Sequence, residues 1–349
     1  MVNINEHDLY KLTYQILISA GADERNAKRV SEALLSANLS GVDTHGVFHL
    51  PRYIKEIDEQ LLVPTAWPEI INENQNSALI KGNWTFGHVI AKFSMDLAIS
   101  KASSHQIAVV SFMQSSHIGR LGEYAEMAAR VNMISQIWAS GYGVEQPVAV
   151  PFGGRDSILH TNPISIGIPG IGESNMIMDF ATTTVAGSKL RIAHQRGEPA
   201  PDGSLVDDQG NPTTDPSTYP ERARLTPFGA HKGYSFMLAN EFIGRIFSGS
   251  DDYSENDKGG PIMRHQGVTM IVMKADLFQP IDEFQTKSNN LQKLVRSVNP
   301  ASGFDSVKIP GDIENNSRKE RKLNGIPIPD EQWESIKNLA ERFAVELPF

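Results

Sequence analysis

The segment IAVVSFMQSSHIGRLGEYAEMAARVNMISQIWA, residues 107–139, combines in one stretch the two kinds of element that decide the fold. Apolar runs typical of β-strands cover Ile107–Phe112 and Ile134–Ala139, and a helical run covers residues 121–131 between them. Another helical run and four further strand-like runs occur at 87–102, Glu69–Asn72, Ala78–Lys81, Ile164–Ile168 and Met176–Phe180. This alternation predicts an α/β core over residues 71–280.

The N-terminal residues 1–70 have a helical pattern instead. Apolar residues at helical spacing within residues 6–40 predict two helices, the first ended by Gly21 and the second capped by Asp23. A third, short helix is expected to begin near Leu50, because the proline that follows is tolerated in a first turn.

The rest of the chain is less regular. Residues 195–227 are rich in Gly, Pro, Asp and Thr and predict a long surface excursion. A helix at Gly233–Phe247 and a strand at Gly267–Met273 are expected to follow. Residues 281–349 return to helix and loop, and we expect them to pack back on the N-terminal helices.

The composition of the 349 residues excludes several classes of function. A net charge of −9 argues against nucleic acid as the main partner, because a polyanion requires a basic surface. The absence of cysteine excludes disulfides, thiolate catalysis and cysteine metal sites. Neither a signal peptide nor an apolar run of membrane-spanning length is present. We therefore expect a soluble, cytoplasmic protein without a membrane association.

The usual nucleotide-binding motifs fail in this sequence. GYGVEQ (141–146) and GIGESN (170–175) have two glycines in the dinucleotide-binding spacing but lack the third. There is no P-loop sequence and no G-x-S-x-G nucleophile motif. HGVFH (45–49) has the histidine spacing of a zinc peptidase, but Gly46 replaces the catalytic glutamate, which weakens a metallopeptidase interpretation.

Two segments contain histidines that could carry chemistry. GVDTHGVFHLPRY (41–53) includes His45 and His49, and the loop before the predicted helix at residue 121 includes His117. Histidine is well suited to proton transfer near neutral pH, and catalytic residues are often on loops. From chemistry alone, we expect either His45 or His117 to exchange a proton with a substrate oxygen. For His49 a surface or packing role is favoured, and His117 could also serve only as a cap.

Two further segments could contact the ribose or the phosphate of a ligand. In MDFATT (178–183) an apolar strand ends at Asp179, which could accept hydrogen bonds from ribose hydroxyls, although the same pattern is common in turns. In PFGAHKGYSFML (227–238), His231 and Lys232 precede a helix and could bind phosphate, although such a lysine is more often solvated.

Taken together, these segments resemble the type-2 malate/L-lactate dehydrogenase family of NAD(P)-dependent 2-hydroxyacid oxidoreductases, and the spelling is most similar to the hydroxycarboxylate dehydrogenase B branch. The motifs occur in order over nearly the whole chain. They are GVDTHGV (41–47), SSHIGRLGEYAE (115–126), PFGGRDSILHTNPISIGIP (151–169), MDFATT (178–183), DDQGNPTTDP (207–216), PFGAHKGYSFML (227–238) and PGDIENNSRKERKLNGIPIP (310–329).

The resemblance implies a non-Rossmann α/β fold with a predominantly antiparallel sheet in the cofactor domain and a helical part formed by the N- and C-terminal segments. It also implies NAD or NADP as cofactor, a homodimer, and an active site in a cleft between domains. His45 or His117 would be the acid/base group, with Thr44 supporting His45. The cofactor contacts that the motifs carry over are His45, Gly119, Arg120, Leu121, Met178, Asp179, Phe180, Ala181, Thr182, His231, Lys232, Gly311, Asp312, Ile313 and Glu314.

The sequence departs from the family pattern where the substrate carboxylate is expected to bind. Many members have an arginine four residues after the first histidine, whereas this chain has His49 there. Arg52 could take over the carboxylate by bidentate pairing, which would make Arg52 and His49 the substrate-binding residues.

Two other functions stay open at this point. One is a metal-dependent lyase or hydrolase built on Asp43, His45 and His49. The other is a non-catalytic protein that binds a nucleotide or a 2-oxoacid. The sequence leaves undecided which 2-oxoacid is the substrate and whether NAD or NADP is preferred.

Overall fold

The computed structural model describes residues 1–140, 146–172 and 174–348. Most of GYGVEQ (141–146) and Glu173 of GIGESN lie outside these residues. Within the described ranges the α-helices are α1 Glu6–Ser19, α2 Glu24–Leu39, α3 Leu50–Asp58, α4 Gly87–His105, α5 Leu121–Arg130, α6 Gly187–Arg196, α7 His231–Asn240, α8 Gly260–Met263, α9 Ile281–Arg296, α10 Asp312–Asn324 and α11 Asp330–Arg342. The strands are β1 Val2–Ile4, β2 Glu69–Glu73, β3 Ser77–Thr85, β4 Ile107–Ser115, β5 Met133–Ala139, β6 Ile164–Ile168, β7 Met176–Phe180, β8 Leu205–Asp207, β9 Pro212–Thr213, β10 Ala223–Leu225, β11 Gly267–Lys274 and β12 Ile326–Ile328.

A mixed sheet forms the centre of the molecule, which confirms the α/β class. Among the described strands, seven join in the order β2-β3-β4-β11-β5-β6-β7. The pairing of β3 with β4 is parallel, and the other five neighbouring pairs are antiparallel. Met270 of β11 lies opposite Val110 of β4 on one side and Ile137 of β5 on the other. All three side chains are fully buried, so the middle of the sheet is also the middle of the core.

The main apolar core lies between this sheet and the helices α4 and α5. Phe112 of β4, Met95 of α4 and Tyr124 of α5 are each fully buried in it. Since α5 follows β4 after a loop of five residues, Ser116–Arg120, the packing of α5 fixes where that loop lies. This loop contains His117.

The N- and C-terminal parts of the chain share a second apolar core. Strand β1 pairs antiparallel with β12, and Trp333 and Ile336 of α11 pack in the same cluster as the apolar faces of α1, α2 and α3. Helix α9 lies elsewhere, because Gln285 and Gln292 donate hydrogen bonds to the carbonyls of Gly170 and Ser174. The segment bounds 1–70, 71–280 and 281–349 stay predictions.

The predicted excursion at 195–227 contains structure that its composition did not indicate. Its residues include β8, β9 and β10, which form a small antiparallel sheet. Leu205 and Leu225 of this sheet are buried in a third apolar cluster with Leu190 of α6, a helix that the sequence pattern also missed.

Local capping explains where α2 begins. The side chain of Asp23 accepts a hydrogen bond of 2.8 Å from the backbone N–H of Asn26, which confirms it as the N-cap of α2. The helix predicted at Gly233–Phe247 begins earlier, at His231, after Ala230 with a φ of +58°. It ends as an α-helix at Asn240 and continues as a π-helix over Glu241–Ile246.

None of the described helices has the length and apolar character needed to cross a membrane.

Candidate active site

The fold collects four histidines and one tyrosine at the junction of α3, α4 and the loop after β4. The ring centroid of His117 lies 4.2 Å from that of His49, 5.4 Å from that of His45 and 6.2 Å from that of His88. Tyr53 of α3 lies 5.8 Å from His49, with the two rings stacked. The structure thus brings together both predicted acid/base candidates, and it places His49 inside the cluster instead of on the surface.

Asn38 of α2 holds the turn that carries His45 in place. Asn38 donates a hydrogen bond of 2.7 Å to Asp43 and accepts one of 2.9 Å from the backbone N–H of Val47. A side chain at Gly46 would collide with Asn38, so the turn requires glycine at this position. Thr44 Oγ1 lies 3.1 Å from Nδ1 of His45, within hydrogen-bond distance, and the supporting role of this hydroxyl stays a prediction.

The loop Ser116–Arg120 is attached to α3 at two points. The hydroxyl of Ser116 donates a hydrogen bond of 2.6 Å to Glu56, and the hydroxyl of Tyr53 lies 2.8 Å from Nδ1 of His117. Gly119 has a φ of +73° and lies directly against the buried ring of His88. The position of His117 is therefore set by tertiary contacts and does not depend on the loop alone.

Burial keeps these histidines neutral near pH 7. Loss of hydration, followed by the charge of Arg120, lowers the pKa of His45 to about 4. The same effect of burial, followed by the charge of Arg52, lowers the pKa of His49 to about 3. Burial also lowers the pKa of His117 well below its usual value. A neutral imidazole can accept a proton, so these rings are in the protonation state that a general base requires.

Arg52 supplies positive charge at the edge of the cluster. Its Nε donates a hydrogen bond of 2.7 Å to Glu56, and its side chain is 34% exposed, so the guanidinium is oriented but still reachable. Its charge also contributes to a pKa of about 4 for His160, after the larger effect of burial. Arg191 of α6 lies 5.7 Å from the ring of Phe48 and adds a second positive charge on this side. An anionic group of a substrate fits here.

The predicted residues Gly119, Arg120 and Leu121 lie where α5 begins, next to Asp179. The carboxylate of Asp179 accepts a hydrogen bond of 2.7 Å from the backbone N–H of Gly122. Burial raises the pKa of Asp179, and the nearby charge of Arg120 partly opposes this. Arg120 itself is buried and donates a hydrogen bond of 2.6 Å to Glu126. One side of this site is thus a buried network of charges.

The remaining residues of MDFATT extend from β7 toward α7. Thr182 is buried and its hydroxyl donates to the carbonyls of Thr161 and Asn162, so its contacts are structural. Phe180 packs edge-on against Phe228, with centroids 5.4 Å apart. Partly exposed neighbours in the same strand and turn are Met178 and Ala181.

His231 and Lys232 are exposed at the start of α7. The ring of His231 lies 6.0 Å from that of Phe152. The structure therefore places both side chains outside the histidine cluster, at the surface next to the PFGGRDS segment.

The segment Gly311–Glu314 lies beside β7, because the carbonyl of Pro310 accepts a hydrogen bond of 3.0 Å from Ile177. Both carboxylate oxygens of Asp312 contact Arg296 of α9, at 2.6 and 3.0 Å. The carboxylate that the motif offered is thus engaged in an ion pair. Ile313 is 62% exposed and Glu314 is half-buried.

Two observations test which group the site could hold. Within the described residues, no three His, Asp or Glu side chains are arranged to bind a metal ion. Several buried polar atoms there have no hydrogen-bond partner among the described residues: Nδ1 of His49, Nε of Arg120 and Nε2 of His160. Buried polar atoms are normally satisfied, so these atoms fit a polar ligand such as a nicotinamide cofactor with a carboxylate substrate.

The sequence interpretation missed Tyr53, Glu56 and His88. Tyr53 stands in the segment 41–53 directly after Arg52, but tyrosine at a helical position is usually a packing residue. His88 had no local signal, since only the packing of α4 against the loop Ser116–Arg120 brings it to His117.

Comparison with known proteins agrees with these motifs and this fold. The family model for malate/L-lactate dehydrogenase matches residues 4–337. Hydroxycarboxylate dehydrogenase B of Escherichia coli O157:H7 is 32% identical, over 97% of this chain and 93% of the relative. L-sulfolactate dehydrogenase of Methanothermobacter thermautotrophicus is 32% identical, over 99% and 98%. The crystal structure of malate dehydrogenase from Entamoeba histolytica superposes with a TM-score of 0.93 at 27% identity, over 100% and 99% of the two chains.

The family match covers nearly the whole chain, and two relatives above 30% identity are covered almost from end to end. The neighbour of known structure has the same architecture along its full length. The chain belongs to the malate/L-lactate dehydrogenase family.

Proposed function

We propose that this protein is an NAD(P)-dependent dehydrogenase that interconverts a 2-oxoacid and a 2-hydroxyacid. The observation that carries the proposal is the pair His45 and His117, with ring centroids 5.4 Å apart beside Arg52, in a chain of this family. Relatives named for malate, L-lactate and L-sulfolactate dehydrogenation support this reaction class.

In this mechanism His117 moves the proton. In the oxidation direction the neutral imidazole takes the proton from the substrate hydroxyl at Nε2, and in the reduction direction the imidazolium returns it. A bound nicotinamide cofactor supplies the hydride acceptor or donor. His45, supported by Thr44, lines the same space and assists in orienting the substrate oxygen.

Arg52 binds and orients the substrate carboxylate. Its guanidinium is planar and, with Nε held by Glu56, presents its remaining N–H groups in a fixed direction. The ring of His49 lies 4.2 Å from that of His117, and the charge of Arg52 reaches it, so His49 is proposed to line the same pocket. Fixing the carboxylate at Arg52 brings the oxygen of the neighbouring carbonyl group within reach of His117, and this positioning supplies much of the rate enhancement.

The cofactor, NAD or NADP, is proposed to lie along the carboxyl end of β7. The residues that would hold it are Gly119, Arg120, Leu121, Met178, Asp179, Phe180, Ala181, His231, Lys232, Gly311, Ile313 and Glu314. Thr182 and Asp312 would contribute only their backbone, because their side chains are engaged within the fold. In this proposal residues 71–280, with their mainly antiparallel sheet, form the catalytic and cofactor-binding region, and the enzyme is a cytoplasmic homodimer.

The proposal is tested with a panel of 2-oxoacids, including pyruvate, oxaloacetate and sulfopyruvate, each assayed with NADH and NADPH by the loss of reduced-nicotinamide absorbance. We expect turnover with at least one pair, and absence of turnover with all of them would refute the proposal. Replacement of His117 by Gln should lower kcat strongly, whereas His7→Gln, at an exposed position, should not. Loss of activity on treatment with a chelator would instead favour the metal-dependent lyase or hydrolase built on Asp43, His45 and His49.

A further inference from the structure

The contact between Tyr53 and His117 joins two residues that are 64 positions apart in the chain. The hydroxyl oxygen of Tyr53 lies 2.8 Å from Nδ1 of His117, which is the distance of a good hydrogen bond. Tyr53 is fully buried, and its ring is held between His49 and Phe86. The hydroxyl therefore has a fixed position relative to the imidazole.

This contact decides which nitrogen of His117 can reach a substrate. Because Nδ1 faces Tyr53, only Nε2 is left for proton exchange. To act as a base at Nε2, the neutral ring must carry its hydrogen on Nδ1, and the imidazolium carries a hydrogen on both nitrogens. A hydroxyl oxygen at Tyr53 can accept the Nδ1–H in both states, so no rearrangement is needed during the reaction.

We propose that Tyr53 is a positioning residue, whose hydroxyl accepts a hydrogen bond from Nδ1–H of His117 and thereby keeps Nε2 as the proton-exchanging atom. The inference rests on the proposed function of His117, and it adds a residue that acts through another. It assigns to α3 a double function, since Arg52 on the same helix binds the substrate.

Tyr53 differs from the carboxylate that orients the histidine in serine hydrolases. Burial raises the pKa of Tyr53 well above its usual value, so the hydroxyl stays neutral at every working pH. A neutral acceptor fixes the tautomer without holding the imidazolium as strongly as a negative charge would. The charged or titratable groups facing His117 are His45, His49, His88 and Arg52, with Glu56 beyond Arg52.

The loop has a second attachment that makes the test clean. Ser116 donates to Glu56 of α3 at 2.6 Å, so removal of the Tyr53 hydroxyl leaves one of the two attachments in place. The chain also offers a matched control in Tyr124 of α5. Tyr124 is fully buried too, and its hydroxyl donates a hydrogen bond of 2.6 Å to the carbonyl of Ile118, so it touches the same loop without touching a histidine.

The first measurement is the tautomer of His117, by nitrogen NMR of protein with labelled histidine, with His117→Gln to assign the signal. In the wild-type protein we expect the hydrogen on Nδ1 and a free lone pair on Nε2. In Tyr53→Phe the ring should shift toward the Nε2–H tautomer, whereas in Tyr124→Phe it should not. A wild-type ring with its hydrogen on Nε2 would overturn the proposal, and that result requires no variant to fold.

The second measurement is the kinetics of both variants. Tyr53→Phe should lower kcat about tenfold, which corresponds to about 1.4 kcal/mol, with KM changed less than about twofold. The acidic limb of the pH profile for hydroxyacid oxidation should move to lower pH, because the imidazolium loses the acceptor for Nδ1–H. Tyr124→Phe should leave kcat within about twofold and the profile unmoved.

These outcomes distinguish a failure of the proposed function from a failure of the inference about Tyr53. If the wild-type enzyme turns over no 2-oxoacid, the proposed function fails while the nitrogen NMR still decides the role of Tyr53. If Tyr53→Phe loses kcat but keeps the wild-type tautomer and pH profile, Tyr53 has a merely structural role and the inference is wrong. Thermal melts of both variants check that each is folded.

Discussion

Replacement of Gly119 by alanine tests how the loop after β4 fits against α4. Gly119 has a φ of +73°, and a Cβ atom there would lie 2.5 Å from Nε2 and 2.8 Å from Cδ2 of His88. His88 is almost completely buried, with a ring that lies edge-on to both Tyr53 and His117. The new methyl group therefore has to displace either the ring of His88 or the loop that carries His117.

The cost has two parts. A residue with a side chain at positive φ costs roughly 1–2 kcal/mol, and forcing an extra methyl group into a packed interior costs about 1–3 kcal/mol. The free energy of unfolding should therefore fall by about 2–5 kcal/mol. Gly197→Ala is a matched control, because Gly197 has a φ of +66° and a Cβ atom there would meet nothing within 4 Å. It should lose only the backbone part, roughly 1–2 kcal/mol.

A second variant isolates the contact with His88. In a His88→Ala background the ring is absent, so Gly119→Ala should cost only the backbone part, and the double-mutant cycle should show a coupling of about 1–3 kcal/mol. Urea denaturation followed by tryptophan fluorescence measures these differences. Equal losses for Gly119→Ala and Gly197→Ala, or zero coupling with His88, would refute the packing argument. Gly119→Ala should also lower kcat, since Gly119 lies two residues from His117.

Three other changes test the proposed binding of the substrate carboxylate by Arg52, the pKa of His160, and the support that Arg321 gives to the turn that carries His45. Arg52→Gln should lower kcat/KM for 2-oxoacids about ten- to a hundredfold, as expected for loss of a charge-assisted hydrogen bond. His160 has a pKa of about 4 in the folded protein because of burial and Arg52, so between pH 6.5 and 4 the unfolded chain binds the extra proton and stability falls with falling pH. His160→Gln should flatten this fall in urea melts by up to about 1.4 kcal/mol per pH unit. Arg321→Gln removes a bidentate pair with Asp43, at 2.6 and 2.9 Å, and should cost about 1–3 kcal/mol of stability and reduce kcat.

Matched controls exist for two of these three changes. Arg342 pairs with Asp58 in the same bidentate geometry, but its side chain is 49% exposed, so Arg342→Gln should cost at most about 1 kcal/mol and leave kcat unchanged. Arg25→Gln removes a half-exposed arginine that pairs with Asp23 and lies over the ring of Trp67, and it should keep kcat/KM. The reasoning would be contradicted if the free energy of unfolding of His160→Gln depended on pH as it does in the wild-type protein. It would also be contradicted if Arg321→Gln and Arg342→Gln lowered the free energy of unfolding equally.

Local pattern predicted much of the fold but not its connectivity. The strands β4 and β5 and the helix α5 follow from apolar periodicity, because each buries one face or both. The position of β11 between β4 and β5 could not be predicted, because β11 begins at Gly267, far along the chain from both strands. Periodicity shows which side of a strand is buried, but it does not show which strand is the neighbour. The strands within 195–227 were missed because they are only two or three residues long.

Local pattern likewise predicted some residues of the candidate site and missed others. His45 and His117 were predicted from the chemistry of histidine in loops, and the fold brings them together. Tyr53 and His88 were missed because each is on a regular helix and becomes relevant only through contacts across the fold. Asp312 shows the opposite limit, since the motif offers a carboxylate but the fold pairs it with Arg296, a residue that no local pattern links to it.

The charges around the cluster connect substrate binding to proton transfer. Burial is the largest cause of the low pKa of His49 and of His117, and the charge of Arg52 adds to it, so the site without an anion disfavours an imidazolium. A substrate carboxylate bound at Arg52 would offset that charge and raise the pKa of His117. Reduction of a 2-oxoacid needs the imidazolium, so a carboxylate bound at Arg52 as proposed would also favour the protonated form of the donor. A neutral substrate would lack this effect, so in the proposed mechanism Arg52 acts on the rate as well as on binding.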